Sequence, residues 1–101
     1  MVAKTIGKHI VTTPGVAGGK PRVSGRRITV QDIAIWHERL GQSPDEIATE
    51  YDLTLAEVHA ALAYYFDHRT AIDRSIRKGK GFAQALRRRT PPKIARKLKN
   101  A

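Results

Sequence analysis

From residue 29 onward, apolar side chains recur every three or four residues, which is the spacing of an amphipathic helix. The pattern predicts helices over residues 30–40, 44–51 and 55–78. In each helix the apolar residues share one face: Ile33, Trp36, Leu40, Ile47, Tyr51, Leu55, Val58, Leu62, Tyr65 or Phe66, Ile72 and Ile76. Three such faces turned toward one another can close one small hydrophobic core.

Each of the three predicted helices begins with a hydroxyl side chain that stands three residues before a carboxylate. The pairs are Thr29 with Asp32, Ser43 with Glu46, and Thr54 with Glu57. In such a capping box both side chains accept hydrogen bonds from backbone amides that a helix start leaves unpaired. Pro44 is tolerated in a first helical turn, and Gly41 ends the first helix. Residues 52–53 are predicted to form the tight turn before the third helix.

Before residue 30 the pattern changes to short β-branched runs separated by glycine and proline. Residues 21–23 and 26–30 predict two strands of a hairpin around a two-residue turn at 24–25, where glycine takes a positive φ at little cost. Residues 9–13 predict a third strand. Because an isolated hairpin is only marginally stable, we expect it to pack on its own helices or on a second copy of the chain.

The chain has 101 residues, which is the size of one domain. We predict a mostly α-helical fold with a small N-terminal β-hairpin, in which residues 1–30 form a basic arm. Residues 31–78 are expected to form a helical core whose second and third helices have helix-turn-helix proportions. Residues 79–101 are predicted to be a flexible basic C-terminal tail, because short basic helices are weak alone in water.

Charge is segregated along the chain, and the formal net charge is +10. Residues 1–30 carry six basic and no acidic side chains, residues 31–73 carry two basic and nine acidic, and residues 74–101 carry eleven basic and none acidic. Two cationic ends around an anionic middle suggest binding of a polyanion, or pairing between segments of opposite sign. A merely soluble basic protein is the alternative.

The composition also limits compartment and chemistry. No stretch approaches the about 18 consecutive apolar residues of a membrane span, and the N-terminus lacks the apolar region of a signal peptide, so we expect a cytoplasmic location. The chain has no cysteine, and its four histidines share no spacing typical of paired metal ligands. Because no Walker or dinucleotide motif is present either, we expect no enzymatic activity, no metal and no cofactor.

Basic side chains around the predicted hairpin turn are the candidates for nucleic-acid binding, since a two-stranded ribbon can enter a groove or bracket a phosphate backbone. They are Lys20, Arg22, Arg26 and Arg27. The start of the third helix is a weaker candidate and is equally consistent with a plain corner between two helices. Its residues include none of the arginine, lysine, asparagine or glutamine side chains that read base edges best: Thr54, Ala56, Glu57, His59, Ala60 and Ala63.

A second cationic cluster lies in the predicted tail and comprises Arg87, Arg88, Arg89, Lys93, Arg96 and Lys97. Arginine pairs with phosphate and with carboxylate in the same bidentate way. The cluster therefore suits either a nucleic-acid backbone or a carboxylate-rich protein pocket, and a solvated tail without a partner is the alternative.

Two motifs in this order resemble the bacterial family called domain of unknown function 433, over roughly residues 8–76. The residues that carry the resemblance are Gly19-Lys20-Pro21-Arg22-Val23, Gly25, Arg27-Ile28-Thr29-Val30, Gly41, Ser43-Pro44, Glu46-Ile47, Tyr51, Leu53-Thr54, Glu57-Val58 and Ala60-Ala61-Leu62-Ala63-Tyr64. The predicted tail, residues 79–101, lies outside this resemblance.

Members of that family are similar to VapB-type antitoxins, with a homeodomain-like helical core and a neighbouring gene for a PIN-like nuclease toxin. The resemblance implies a small cytoplasmic antitoxin that binds a toxin and its own operator, and the family offers no agreed catalytic residues. From the charge pattern we add the hypothesis that the tail cluster occupies the anionic cleft of the toxin. The hairpin is expected to pair with its counterpart in a homodimer that spaces two cationic ribbons along DNA. The sequence does not decide whether the hairpin arginines bind DNA, the toxin or the acidic helices of a second subunit. A basic protein that binds DNA or RNA without any toxin is the alternative function.

Overall fold

The computed structural model describes the backbone of residues 4–6, residues 9–78 and Ala85. Within these residues, three short strands precede four α-helices. The elements are β1 Lys4–Ile6, β2 Ile10–Thr12, β3 Arg22–Val23, α1 Val30–Ala34, α2 Pro44–Tyr51, α3 Leu55–Asp67 and α4 Arg69–Arg77. The prediction of a mostly helical fold with a small N-terminal sheet is confirmed.

The N-terminal sheet is antiparallel, with strand order β1-β2-β3. Its middle strand confirms the strand predicted within residues 9–13, whereas β1 was not predicted. The predicted hairpin is present, because Arg22 on β3 forms an antiparallel bridge with Thr29. Val23 N donates to Ile28 O and Val30 N donates to Pro21 O, both at 2.9 Å. Its turn is longer than predicted and takes up residues 24–27. The second arm is shorter than the predicted strand over residues 26–30, because Thr29 also caps α1 and Val30 begins that helix.

All three predicted capping boxes are present, at the starts of α1, α2 and α3. In the buried one, Asp32 N donates to Thr29 Oγ1 and Thr29 N donates to Asp32 Oδ2, both at 3.0 Å. A cap of this kind contributes about 1 kcal/mol to the stability of its helix. The first helix extends beyond α1 as a π-helical turn, Ile35–Arg39, and ends before Gly41, as predicted.

Residues 55–78 do not form the single helix that was predicted. His68, with φ −125° and ψ 30°, separates α3 from α4. The apolar pattern stays in helical phase across this break, because the buried residues Tyr65, Ile72 and Ile76 are seven and four residues apart. Hydrophobic spacing therefore predicted the buried face of α4 correctly, but it gave no indication of the break at His68.

One hydrophobic core joins the sheet to the four helices. Trp36 is fully buried within it, and its ring stacks on Tyr51 with 3.8 Å between the ring centroids. The Trp36 Nε1 group donates a hydrogen bond of 3.0 Å to the carbonyl oxygen of Ala85. Ala85 falls inside the predicted tail, yet it is fully buried in this core. The chain is therefore held against the core at least at this one position of the segment.

Candidate nucleic-acid interface

The turn at residues 24–27 places Arg26 against the C-terminal end of α2. Gly25 at φ 78° permits the reversal of the chain. The Arg26 guanidinium then donates to Tyr51 O at 2.8 Å and to Asp52 O at 2.9 Å. A helix end leaves such carbonyls unpaired, and a cation there offsets the negative end of the helix dipole. Arg26 thus bonds the hairpin turn to the residues that join α2 to α3.

Arg22, on β3, is half-buried and supports the same turn from inside. Its Nη1 donates to the backbone oxygen of Arg26 and its Nη2 to Thr13 Oγ1, both at 2.9 Å. Two of the four predicted nucleic-acid-binding residues therefore have their guanidinium groups bonded within the fold. To bind a phosphate, they would have to exchange these bonds or use their remaining N–H groups.

The other two predicted residues stand at opposite ends of β3. Arg27 is exposed on the turn beside Arg26, whereas Lys20 is half-buried two residues before the strand. At the turn, Arg26 bonds to the residues that connect α2 to α3. The structure thus brings Arg22, Arg26 and Arg27 together at one turn and places Lys20 at the far end of the strand.

Three residues, 52–54, connect α2 to α3. Asp52 takes the left-handed conformation at φ 56° and ψ 49°, and Thr54 caps the following helix. The outward face of α3 includes the exposed side chains of Ala56, His59 and Ala63. Small apolar side chains contact thymine methyl groups but form no hydrogen bonds with base edges. The outward face of α3 therefore carries few side chains that could read bases, as expected from its sequence.

Exposed cations on α4 form a surface to which the sequence pattern assigned no role. Ile72 and Ile76 are buried, and Arg74, Arg77 and Lys78 are exposed. Successive helical residues are about 100° apart, so these cations lie opposite the isoleucines. None of the three side chains has a hydrogen bond or ion pair with another described residue. The apolar spacing of α4 was the signal that could have found this face.

Arg69, at the start of α4, contrasts with these three cations because it is bonded to carboxylates. It lies 3.5 Å from Asp73 Oδ2 and 3.3 Å from Glu38 Oε1. The Tyr65 hydroxyl donates to Asp73 Oδ1 at 2.8 Å. Burial, followed by this hydrogen bond, raises the pKa of Tyr65 above its ordinary value of 10.0. These bonds join α3, α4 and the π-helical turn. They also occupy Asp73, the one carboxylate of α4.

The predicted toxin-binding residues Arg87, Arg88, Arg89, Lys93, Arg96 and Lys97 lie outside the described residues. In the described part of the chain, no group of three or more histidine, aspartate or glutamate side chains is arranged to hold a metal ion. Nor does any described helix combine the length and the apolarity that a membrane crossing requires.

Comparison with known proteins places the fold in a family. The model of the family described as "Protein of unknown function (DUF433)" matches residues 10–65, which include β2 and most of α3 but not α4. A crystal structure of a DUF433 member protein from Anabaena variabilis ATCC 29413 is similar, with a TM-score of 0.60 and 35% sequence identity. That match covers 66% of this chain and 66% of that chain, just under two thirds of each. No curated protein matches the sequence. Because the family model spans more than half of its length, the protein belongs to the DUF433 family, as its two motifs predicted.

Proposed function

We propose that the protein is an antitoxin of a type II toxin-antitoxin system, similar to the VapB type, which neutralises a PIN-like nuclease toxin and binds operator DNA as a homodimer. The observation that carries the proposal is the arrangement of α2 and α3 around residues 52–54. Two short helices with a three-residue connection have the proportions of a helix-turn-helix in a homeodomain-like core. Arg26 bonds from the hairpin to Tyr51 O and Asp52 O, which holds the end of α2 and the start of this connection against the hairpin turn.

Toxin binding is assigned to the basic C-terminal sequence. Trp36 holds Ala85 at the core, and the sequence from Arg87 to Arg89 begins two residues later. A PIN-like nuclease holds its metal with clustered carboxylates, which arginine binds in a bidentate way. Opposite charges on the two proteins also accelerate their encounter. The tail would therefore occupy the anionic cleft of the toxin and exclude its RNA substrate.

Co-expression with the adjacent reading frame tests this function. We expect the neighbour to encode a small protein that is toxic alone, is neutralised by this chain and purifies with it. A chain truncated after Ala85 keeps the hydrogen bond to Trp36 and should fold but fail to neutralise. A full-length variant that replaces only three tail arginines (Arg87→Gln, Arg88→Gln and Arg89→Gln) should weaken neutralisation without shortening the chain. Full neutralisation by the truncated chain would contradict the role of the tail.

The second candidate function is a basic protein that binds DNA or RNA without a toxin. The exposed cations of α4 favour it, because they have no anionic partner among the described residues. A gene without a toxic neighbour, combined with nucleic-acid binding by the purified chain, would support this function over the antitoxin.

A further inference from the structure

We propose that Arg74, Arg77 and Lys78 form a binding surface for the phosphate backbone of duplex DNA, and we call these residues the α4 basic face. This surface is separate from the hairpin arginines and from the basic tail. It lies beyond residues 10–65, over which the chain matches its family. The inference rests on the proposed function for the choice of DNA as the partner, and it does not depend on the toxin.

The rotation of α4 about its own axis is fixed by contacts on both flanks of its buried isoleucines. On one flank, Ser75 Oγ donates to the buried Gln31 Oε1 at 2.8 Å. On the other flank, Asp73 accepts the hydrogen bond from the Tyr65 hydroxyl, also at 2.8 Å. Because both flanks are bonded, the helix cannot roll, and Arg74 stays near the centre of its outward face. The basic face is therefore presented before any partner arrives.

The charge of this face is not neutralised within α4. Its one carboxylate, Asp73, stands one turn before Arg77 but is bonded to Arg69 and to the Tyr65 hydroxyl. Residues 74–78 span only about 6 Å of helix axis, so three cations are concentrated within little more than one turn. Two of them are arginines, whose planar guanidinium groups can each donate two hydrogen bonds to one phosphate.

Duplex DNA suits this surface better than an acidic protein does, because of the chemistry of the neighbouring helix. The outward side chains of α3 supply no arginine, lysine, asparagine or glutamine to read bases. A chain that binds DNA through this part of the fold must take its affinity from phosphate contacts, which require no base reading. The α4 basic face follows α3 directly, after the break at His68, and supplies such contacts. The structural alternative is that the cations only complement the carbonyl end of α4, which needs no partner.

The test measures binding of a fluorescent 20-base-pair duplex over a range of salt concentrations. The triple variant replaces all three residues (Arg74→Gln, Arg77→Gln and Lys78→Gln), and each single variant is measured as well. The slope of log K against log salt is negative, and each lost phosphate contact should reduce its magnitude by about 0.9. We expect the magnitude to decrease by about 2.7 in the triple variant and by about 0.9 in Arg77→Gln, equally for two duplexes of unrelated sequence.

The matched control is Arg39→Gln, since Arg39 is also exposed and has no bond to another described residue. Its salt slope should equal that of the wild type. An unchanged slope in the triple variant, or no DNA binding by the wild type at about 50 mM salt, would overturn the inference. If the triple variant does not fold by circular dichroism, the single variants decide the outcome.

The toxin assay separates this inference from the proposed function. We expect the triple variant to neutralise the toxin as well as the wild type does. Loss of neutralisation with unchanged DNA binding would show that the α4 basic face meets an acidic protein, and would overturn the inference. A wild-type chain that neutralises the toxin but binds no DNA would support the toxin-binding part of the proposed function, and would overturn both the α4 DNA surface and the operator binding.

Discussion

The hairpin turn and α4 both carry arginines, but the structure uses the two sets differently. Arg22 and Arg26 donate hydrogen bonds to backbone carbonyls and a hydroxyl of the fold. Arg74 and Arg77 make no such bond with a described residue. Both sets include an arginine near the C-terminal end of a helix, yet Arg26 bonds to the carbonyls at the end of α2 whereas Arg77, in the last turn of α4, stays in solvent. Counting charge along a sequence cannot distinguish these two situations.

The largest effect is expected when the hairpin arginines are removed. The double variant Arg22→Ala with Arg26→Ala should lower the free energy of unfolding by about 2–3 kcal/mol, because it deletes five hydrogen bonds and leaves partly buried oxygens unpaired. Urea denaturation measures the change.

The matched control for that variant is Arg74→Ala with Arg77→Ala on α4. It should change the free energy of unfolding by less than about 1 kcal/mol, since exposed substitutions away from the core have small effects. Equal losses in the two double variants would contradict the contrast between the regions.

A smaller effect is expected at the contact that orients α4. Tyr65→Phe removes the hydrogen bond to Asp73 and should cost about 1 kcal/mol at pH 7, as measured by urea denaturation. Tyr64→Phe is the control, because the Tyr64 hydroxyl makes no hydrogen bond with a described residue, and it should stay within about 0.5 kcal/mol of the wild type.

The same variant carries a pH dependence with a definite sign. The pKa of Tyr65 is raised in the folded protein, so the folded state holds this proton more tightly than the unfolded state. That contribution is fully present below the ordinary pKa of 10.0 and is lost as the pH rises toward the folded value. We therefore expect the stability difference between the wild type and Tyr65→Phe to narrow above pH 10.0. A difference that widens there would contradict the assigned cause.

Arg69 lies between the two regions, because it is exposed and yet bonded to two carboxylates. Exposed ion pairs contribute little, so Arg69→Ala should cost no more than about 1 kcal/mol at low salt and less in about 1 M salt. Thermal denaturation at both salt concentrations measures this. A larger loss that salt does not reduce would place Arg69 with the structural arginines of the hairpin.

The sequence predicted the parts of the fold that depend on near neighbours. Each capping box joins residues three positions apart, so Thr29 with Asp32 could be read directly from the sequence. Helical spacing also predicted buried positions such as Ile33, Val58 and Ile72, since burial repeats with the turn of the helix. It was wrong at Leu55, which is 46% exposed at the start of α3.

Thr29 was predicted both as a strand residue and as a helix cap, and it serves as both, since it bridges to Arg22 and caps α1. The turn before it, at residues 24–27, is longer than the two residues predicted.

The rest of the candidate site depends on contacts between distant parts of the chain. Arg26 reaches Tyr51 across 25 residues, and Trp36 reaches Ala85 across 49. No periodicity or motif encodes such pairs, because they form only once the helices have packed. For the same reason the sequence made Arg22 and Arg26 candidates for nucleic-acid binding and assigned no role to Arg74, and only the packed structure separates the bonded arginines from the exposed one.

The most direct test of this separation is a nuclear magnetic resonance titration of the arginine side-chain Nε signals with duplex DNA at about 50 mM salt. We predict that the signals of Arg74 and Arg77 shift with added DNA while those of Arg22 and Arg26 stay in place. Shifts at Arg22 and Arg26 with none at Arg74 and Arg77 would contradict the division between arginines that hold the fold and arginines that bind DNA.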